Sequence, residues 1–202
     1  MDTGHLDPGN VPADPMELFA RWLAEARAAG CHEPEAMTLA TTGADGAPSA
    51  RMVLLRGADA RGFRFFTNRS SRKGRDLAGD ARAALTFYWY PPGRQVRVEG
   101  DADELPRDES EAYFASRPRG HQVGAWASAQ GQVIAGRAPL EQAYADAAAR
   151  FQGGPVALPG YWGGYVVRPR VIEFWEARTD RLHDRVMYLR DGDGWTRSRL
   201  SP

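Results

Sequence analysis

Apolar and polar positions along the chain follow two different periods, and the first of these is helical. An apolar stripe with helical spacing starts at residue 18 and ends before Gly30. Asp14 is placed to cap this helix, Pro15 suits its first position, and Glu17 completes a capping-box spacing. The pattern predicts one amphipathic helix whose buried stripe consists of Leu18, Phe19, Trp22, Leu23 and Ala26.

From Met37 onward the period shortens to two, and short apolar runs alternate with turn residues. The runs at 37–42, 51–56 and 63–68 are separated by glycine-containing turns, which predicts an antiparallel meander. Further strands are predicted at 84–90, 95–105, 161–176 and 185–200, the last with a hairpin turn at Asp-Gly-Asp-Gly. Helical segments are predicted at 70–80 and within 107–152.

These elements predict an α+β fold in which helices surround an antiparallel barrel of about six to eight strands. Residues 1–13 are rich in glycine, proline and aspartate and show no period, so we expect a flexible N-terminal arm. No repeat or linker divides the rest of the sequence, so residues 14–202 are predicted to form a single domain.

Composition excludes several classes of partner. The 202 residues include 26 basic and 26 acidic side chains, so nucleic acid and anionic membranes are not expected to bind. Cys31 is the single cysteine and the four histidines show no ligand spacing, so no metal site is predicted. No apolar run reaches about 18 residues and the N-terminus does not resemble a signal peptide, so we expect a cytoplasmic protein.

The densest basic stretch runs from Arg51 to Asp76, with a local net charge of +6, and it contains the single lysine, Lys73. Its segment Thr67–Gly74 leaves a strand and enters a helix, so hydroxyls, backbone N–H groups, a guanidinium and an ammonium can converge on a phosphate. A solvated loop with a charged helix start explains the same residues without a ligand. No P-loop or GxGxxG sequence supports an NTPase or a Rossmann cofactor site.

A second basic group lies near the C-terminus. Arg181, His183 and Arg185 share one face of an extended segment, which presents two permanent cations and one group that titrates near neutrality. This face suits an anionic ligand, but Asp180 and Asp184 can also neutralise it. A binding wall and a self-neutralised surface are both compatible with the pattern.

A third group follows Tyr113, where a helix is predicted to end before Pro118. Arg117, Arg119 and His121 then lie near the helix C-terminus, where cations are favourable even without a ligand. The i, i+4 spacing of Tyr113 and Arg117 is the sharper indication of a site. The tryptophans at 126, 162 and 175 are interpreted mainly as core residues.

Several motifs occur in one order: RMVLLR at 51–56, FFTNRSSRKG at 65–74, RQVRVEG at 94–100, YFASRPRGHQVGAWAS at 113–128, YWGG at 161–164, EFWEARTDRLHDR at 173–185 and the closing RLSP. Together they resemble the pyridoxamine 5′-phosphate oxidase family from Asp14 to Pro202. The resemblance implies the FMN-binding fold of that family, an antiparallel split β-barrel. It also implies a homodimer with two flavin sites at the subunit interface.

The resemblance further implies roles for individual residues. Tyr113 and Arg117 are implied to bind the substrate phosphate, with Arg56 and His121 at the same end of the substrate. Arg181 and His183 are implied to lie beside the pyridine ring as the catalytic residues. The implied FMN site consists of Arg51, Met52, Val53, Leu54, Leu55, Arg56, Phe66, Thr67, Arg72, Lys73, Gln95, Gln130, Trp175 and Arg185, with Arg72 and Lys73 on the phosphate.

The implied reaction is the oxidation of pyridoxine or pyridoxamine 5′-phosphate to pyridoxal 5′-phosphate. A hydride passes from the substrate to the flavin, and O₂ then reoxidises the flavin and yields hydrogen peroxide. The partners implied are therefore a small phosphorylated pyridine, O₂ and a second copy of the chain.

Three departures from the family pattern concern the substrate side. Arg56 stands where members usually have lysine, and His121 where they usually have serine. The arm has Leu6–Asn10 where members often have an arginine-rich stretch. Two alternatives therefore stay open: an FMN-dependent oxidase of a phenazine-type precursor, and a noncatalytic flavin- or vitamer-binding protein, against which the presence of Arg181 and His183 argues.

Overall fold

A computed structural model describes residues 5–202, and within this range the chain forms five α-helices and nine β-strands. The helices are α1 Pro15–Ala28, α2 Arg72–Gly79, α3 Arg107–Ser116, α4 Arg119–Ala127 and α5 Arg137–Arg150. The strands are β1 Ala36–Thr42, β2 Pro48–Leu54, β3 Gly57–Asp59, β4 Gly62–Asn68, β5 Arg82–Trp89, β6 Arg94–Glu104, β7 Trp162–Glu176, β8 Asp184–Asp191 and β9 Gly194–Arg199. A 3-10 turn at Thr179–Arg181 separates β7 from β8.

Helix α1 forms as its sequence predicts. The Asp14 side chain accepts a hydrogen bond from the Met16 backbone N–H at 2.9 Å, which caps the N-terminus. All five residues of the predicted stripe are buried. Phe19 lies at the centre of the main core, with its ring edge-on to Phe63 at 4.8 Å and to Phe87 at 5.0 Å.

The strands form one curled antiparallel sheet in the order β2-β1-β5-β6-β7-β4-β3, and β8 and β9 extend it from β7. The sheet is open between its two ends, so the predicted α+β split barrel is confirmed. Nine strands exceed the predicted range by one, because the three-residue β3, interpreted as part of a turn, pairs with β4.

The predicted meander over 37–68 is wrong. β1 and β2 form a hairpin, but β4 pairs with β7 on the other side of the sheet. The physical reason is burial. Side chains of β2 are exposed or half-buried and suit an edge, whereas β4 is buried along most of its length and needs a neighbour on each side. Strand pairing over such distances in sequence is not visible in a local pattern.

The long strand β7 organises the molecule. Its first half pairs with β4 and its second half with β8, while β6 pairs with it from Tyr165 to Glu176 and bulges between Glu99 and Gly100. Gly100 is required there, because a Cβ atom would lie 2.0 Å from the Arg168 carbonyl oxygen. Trp162 and Trp175 are thirteen positions apart, which at about 3.3 Å per residue is roughly 40 Å of strand. The two ends of β7 therefore serve different regions of the surface.

The residues before α1 contact the last two strands. Leu6 and Val11 are buried, Arg197 donates to the Val11 carbonyl oxygen at 2.8 Å, and the Tyr188 hydroxyl donates to the Pro12 carbonyl oxygen at 2.8 Å. Residues 1–4 of the predicted arm lie outside the described residues, and the flexibility of residues 1–13 stays a prediction. No helix within residues 5–202 has the length and apolar character needed to cross a membrane.

Candidate functional site

A cavity of about 600 Å³ lies beside the end of β2, the end of β4 and the starts of α2, α4 and β7. This size is typical of a site for a small molecule or cofactor. The predicted site residues that line it are Met52, Val53, Leu54, Arg56, Phe66, Thr67, Lys73, Tyr113, Arg117, His121 and Gln130. The residues that the sequence did not predict are Asn68, Gly120, Gly124, Ala125, Ser128 and Trp162.

Lys73 is the cation at one end of the cavity. Its ammonium donates to Thr67 Oγ1 at 3.3 Å, Gln130 Oε1 at 3.3 Å and Ser71 Oγ at 3.4 Å. Burial lowers the pKa of Lys73, and the nearby Arg51 guanidinium lowers it further. Because these neighbours are neutral oxygens or another cation, they leave the charge of the ammonium unneutralised.

Ser71 caps helix α2 beside Lys73 and explains why the chain turns there. Its Oγ accepts from the Gly74 backbone N–H at 3.4 Å, so α2 begins directly after the turn that leaves β4. Gly74 is required at this turn because a Cβ atom would lie 2.1 Å from the Arg69 carbonyl oxygen. The Lys73 ammonium, 3.4 Å from the Oγ atom of this N-cap residue, therefore lies beside the N-terminus of α2.

The basic stretch divides into paired and unpaired cations. Carboxylates pair with four of its arginines, in the ion pairs Arg51–Asp76, Arg61–Glu109, Arg64–Asp59 and Arg69–Glu104. Within residues 5–202, Arg56, Arg72, Lys73 and Arg75 have no carboxylate oxygen within 4.0 Å. A solvated loop that neutralises its own charge therefore explains the paired arginines. Of the cations without a carboxylate partner, Arg56 and Lys73 line the cavity.

Arg117 is another half-buried cation on the cavity, and aromatic rings rather than a carboxylate hold it. Its guanidinium carbon lies 4.8 Å from the Trp162 ring centroid and 5.5 Å from that of Phe114. Its Nη1 atom is buried and makes no hydrogen bond to any described residue. Burial is the main cause that lowers the pKa of Arg117, and Arg56 adds to this effect. A buried N–H donor without a partner indicates a place for an acceptor.

Three nearly parallel rings form one wall. Phe66 stacks on Tyr113 with 4.0 Å between centroids, and Trp162 lies 5.5 Å from Phe66. Trp162 is 7% exposed and belongs to a second apolar cluster beneath α3 to α5, so its interpretation as a core residue is confirmed. The same ring lines the cavity, however, and the YWGG motif was the signal that marked it.

The predicted position of the third basic group is wrong in part. Helix α3 ends at Ser116, before Pro118 as predicted, but Pro118 is also the N-cap of α4, so Arg119 and His121 lie in the first turn of α4 rather than at a helix C-terminus. Arg119 instead reaches the end of α5, where it donates to the carbonyl oxygens of Phe151 at 2.5 Å and Gly154 at 2.8 Å. A helix C-terminus does attract this cation, but it belongs to another helix.

A second group of predicted residues lies at the far end of β7 and outside the cavity. Gln95 pairs with Trp175 and Trp175 with Arg185 on three adjacent strands, and the His183 ring lies 4.6 Å from that of Trp175. Arg185 Nε donates to Glu173 at 2.7 Å. We call Gln95, Trp175, His183, Arg185 and the nearby Arg181 the distal group.

The prediction of an extended segment from Arg181 to Arg185 is wrong. Arg181 lies in the 3-10 turn with φ 61°, after Asp180 with φ 55°, and the strand begins only at Asp184. Two consecutive left-handed residues reverse the chain here, so alternation along a strand does not apply. His183 and Arg185 keep the spacing of one face, whereas Arg181 does not.

The remaining predicted residues lie away from the cavity lining. Leu55 is buried in the main core. Arg51 donates to Thr41 Oγ1 at 2.7 Å and to Ser49 Oγ at 2.8 Å. Arg72 is exposed at the first position of α2. Their roles toward a ligand stay predictions.

Comparison with known proteins relates this arrangement to one family. Residues 23–150 match the family model described as pyridoxamine 5′-phosphate oxidase, and residues 162–202 match the pyridoxine 5′-phosphate oxidase C-terminal dimerisation region. A pyridoxine/pyridoxamine 5′-phosphate oxidase of Rubrobacter xylanophilus is 54% identical, covering 98% of this chain and 91% of its own. One from a Nocardioides species is also 54% identical, over 98% and 92%.

Solved structures extend the comparison. PhzG from Burkholderia lata, in complex with tetrahydrophenazine-1-carboxylic acid, is similar with a TM-score of 0.93 and 34% identity, over 100% of this chain and 99% of that chain. A pyridoxamine 5′-phosphate oxidase-related, FMN-binding protein from Nostoc punctiforme has a TM-score of 0.75 at 16% identity, over 95% and 100% of the two chains. This second likeness supports the fold alone.

Proposed function

Because the chain belongs to the pyridoxamine 5′-phosphate oxidase family, we propose that it oxidises pyridoxine or pyridoxamine 5′-phosphate to pyridoxal 5′-phosphate. Family membership makes it an oxidoreductase with FMN as cofactor. The 54% identity to vitamer oxidases, against 34% to PhzG, favours the phosphorylated vitamer as substrate.

The observation that carries the proposal is that the cations lining the cavity fall into two groups. Lys73 lines it with Arg51, which itself lies off the lining, as its neighbour, whereas Arg117 lines it with Arg56 as its neighbour. FMN and the vitamer each carry one phosphate, so a site for both requires two anion-binding places. The first cation group suits the phosphate of FMN and the second that of the substrate.

The residues present fit FMN. Lys73 and the N-terminus of α2 would hold its phosphate, with Thr67 and Gln130 beside them, and the residues of β2 and Phe66 would line the ring system. When bound, FMN supplies the two-electron acceptor that reacts with O₂. The protein's task is to bind, orient and shield the reactants.

FMN affinity is expected to fall as pH rises through the lowered pKa of Lys73. The protonated ammonium is the form that binds a phosphate, so binding is complete below that pKa and weakens above it. Lys73→Arg keeps its charge to higher pH and should move the loss upward. Fluorescence titration of the apoprotein with FMN across alkaline pH measures this, and equal profiles for both proteins would contradict it.

On the substrate side, the chain's own residues position an anion. Arg117 has a buried Nη1 donor without a partner among the described residues, packs on the Trp162 ring and shares the cavity with Arg56, so a phosphate here gains charge-assisted hydrogen bonds in a partly desolvated place. The Trp162 ring supports the guanidinium without neutralising it. The full charge is therefore directed at the ligand.

A second copy of the chain would complete the site. The distal group does not line the cavity of its own chain, and the strand between Trp162 and Trp175 separates the two regions. The match of residues 162–202 to a dimerisation region covers Trp175, His183 and Arg185. We infer a C2 homodimer in which each distal group faces the partner's cavity.

Sedimentation at micromolar concentration should therefore give a dimer. The expected mass is twice that of the 22.2 kDa chain. Exposed apolar side chains such as Met52, Tyr88 and Leu182 would be covered in it. Analytical ultracentrifugation with and without FMN is the measurement. A monomer that still retains FMN would contradict the shared site.

The similarity to PhzG supports a second candidate, the oxidation of a phenazine-type carboxylate. A carboxylate can occupy the Arg117 place as a phosphate does, and His121 lies on the same cavity. The two substrates differ in size, and one carries a phosphate where the other carries a carboxylate. Both would bind the same cations, but each would fill the cavity differently.

Peroxide release tests the proposed function. The purified FMN-loaded protein is supplied in parallel with pyridoxine 5′-phosphate, pyridoxamine 5′-phosphate, their dephosphorylated forms and a reduced phenazine carboxylate. We expect turnover of the phosphorylated vitamers and little of the other compounds. Turnover of the phenazine alone would favour the second candidate, and no flavin bleaching by any compound would favour a binding protein.

Replacing Arg181 or His183 with alanine should leave FMN content and its absorbance unchanged while slowing flavin reduction by substrate. The reason is that both residues are proposed to orient the substrate, not to bind the cofactor, and a misplaced substrate reacts slowly. Single-turnover reduction without oxygen is the measurement. Wild-type rates in both variants would show that this region does not contact substrate.

A further inference from the structure

His183 is held by a backbone hydrogen bond that determines where its proton lies. The Arg178 backbone N–H donates to His183 Nδ1 at 3.2 Å. An amide nitrogen only donates, so Nδ1 is the acceptor and the neutral ring carries its proton on Nε2. Within residues 5–202, Nε2 makes no hydrogen bond. The ring therefore presents a free N–H donor.

We propose that Arg178 is a positioning residue that keeps His183 in the Nε2–H form, so that His183 gives the substrate a hydrogen bond and does not take its proton. The inference rests on the proposed function, in which His183 faces the substrate. The atom that accepts this hydrogen bond belongs to the substrate and is, for example, an oxygen attached to the ring or the ring nitrogen. A general base at Nε2 is excluded while that atom holds the proton.

The Arg178 side chain is anchored at both ends of the β7–β8 connection. Its Nε donates to Asp184 Oδ2 at 2.7 Å, and its Nη2 donates to Glu176 Oε2 at 2.7 Å. The guanidinium thus joins the last residue of β7 to the first residue of β8. With the side chain fixed in this way, the backbone N–H of Arg178 is fixed as well.

Asp184 is the centre of this anchor. It is 1% exposed and also accepts from Arg199 Nη2 at 2.5 Å and from His5 Nδ1 at 3.3 Å. Burial favours a raised pKa, but hydrogen bonds from Arg178, His5 and Arg199 hold the pKa of Asp184 below its usual value. The carboxylate therefore stays charged and keeps Arg178 in place.

One ring contact and the conformation of the preceding turn leave His183 little freedom. The Trp175 ring packs against the imidazole at 4.6 Å, with 46° between the ring planes. The turn before it has left-handed φ angles at Asp180 and Arg181, which are unfavourable for these residues and persist only when surrounding contacts fix them. A strained turn closed by the Arg178 anchor is a rigid support for an orienting donor.

Nitrogen-15 NMR of the FMN-loaded protein tests the tautomer directly. At about pH 8 the signals of the neutral His183 ring should show a protonated Nε2 and an unprotonated Nδ1. His183→Gln identifies them by their loss. In Arg178→Ala we expect a mixture of both tautomers, and Arg178→Lys serves if the alanine variant does not fold. Arg199→Ala is the matched control, because it removes a donor to Asp184 but none near His183.

A protonated Nδ1 in the wild-type protein would overturn the proposal. An unchanged tautomer in a folded Arg178→Ala variant would also overturn it, because the anchor would then have no effect on the ring. Because this spectrum does not depend on turnover, it decides the positioning role even if the vitamers turn out not to be substrates.

Two amide substitutions test the direction of the donor. A glutamine amide reaches the position of Nε2, whereas an asparagine amide reaches that of Nδ1. His183→Gln keeps a donor at the position of Nε2, so its kcat should stay within about tenfold of the wild-type value. His183→Asn has no donor there, so its kcat should fall as much as that of His183→Ala. One hydrogen bond is worth roughly a factor of ten. Equal losses in the Gln and Asn variants, or a better Asn variant, would refute a directed Nε2–H donor.

Discussion

Replacing Arg72 and Lys73 together with alanine is expected to release most of the FMN. Each residue is proposed to make a charge-assisted contact to the phosphate, worth about 1.5–3 kcal/mol, so the double variant should bind FMN about 10²- to 10⁴-fold more weakly. Lys73 lines the cavity and Arg72 does not, so the single Lys73→Ala variant should account for the larger share. The ratio of flavin to protein after gel filtration and a titration of the apoprotein measure the effect.

Arg75→Ala is the matched control for this variant. Arg75 lies on the same helix, but its guanidinium donates to the Ser70 carbonyl oxygen and does not line the cavity. It should retain FMN as the wild-type protein does. Full flavin content in the double variant would show that the phosphate of FMN binds elsewhere.

Arg117→Leu should abolish the preference for phosphorylated substrates. Loss of one member of a buried charge pair costs about 2–5 kcal/mol, so kcat/KM for the phosphorylated vitamer should fall roughly 30- to 5,000-fold. The dephosphorylated vitamer makes no such pair, and its kcat/KM should change little. Steady-state peroxide release with both substrates gives the comparison.

The same substitution should not destabilise the protein. Arg117 Nη1 is buried without a hydrogen bond to a described residue, and leucine can keep the contact with Trp162 and Phe114. We expect an unchanged or raised Tm, measured with FMN bound.

Arg119→Ala is the control for the selectivity test, because Arg119 is a nearby arginine whose guanidinium caps α5 and does not line the cavity. Equal losses with both substrates would show that Arg117 does not select the phosphate.

Local patterns in the sequence determined the elements of this protein. The cap at Asp14 and the apolar stripe of α1 involve residues within one or two helical turns, and both are present as predicted. In β6, which the sequence predicted as a strand at 95–105, Val96 and Val98 lie two positions apart and both are buried in the core. Together with the order of the motifs, such patterns were sufficient for the fold class, the family and FMN.

Only the tertiary structure decided which residues meet. The separation of β2 from β4 depends on pairing with β7, a hundred residues later in the chain. Arg117 and Trp162 are 45 positions apart, so no spacing rule could predict that a ring holds the guanidinium. Proline disfavours a helical conformation for the residue before it, which predicts the end of a helix. This effect does not show that Pro118 also begins a second helix.

The division of the predicted site into a cavity and a distal group was also decided in three dimensions. The motifs at 161–164 and 173–185 follow each other directly in the sequence, but they lie at opposite ends of β7, the first beside the cavity and the second in the distal group. The left-handed turn at Asp180 and Arg181 removes Arg181 from the predicted strand face, and the backbone of Arg178, invisible in any pattern of side chains, orients His183. Sequence specifies which chemical groups are available through local physics, whereas long-range packing and hydrogen bonds determine where each group points.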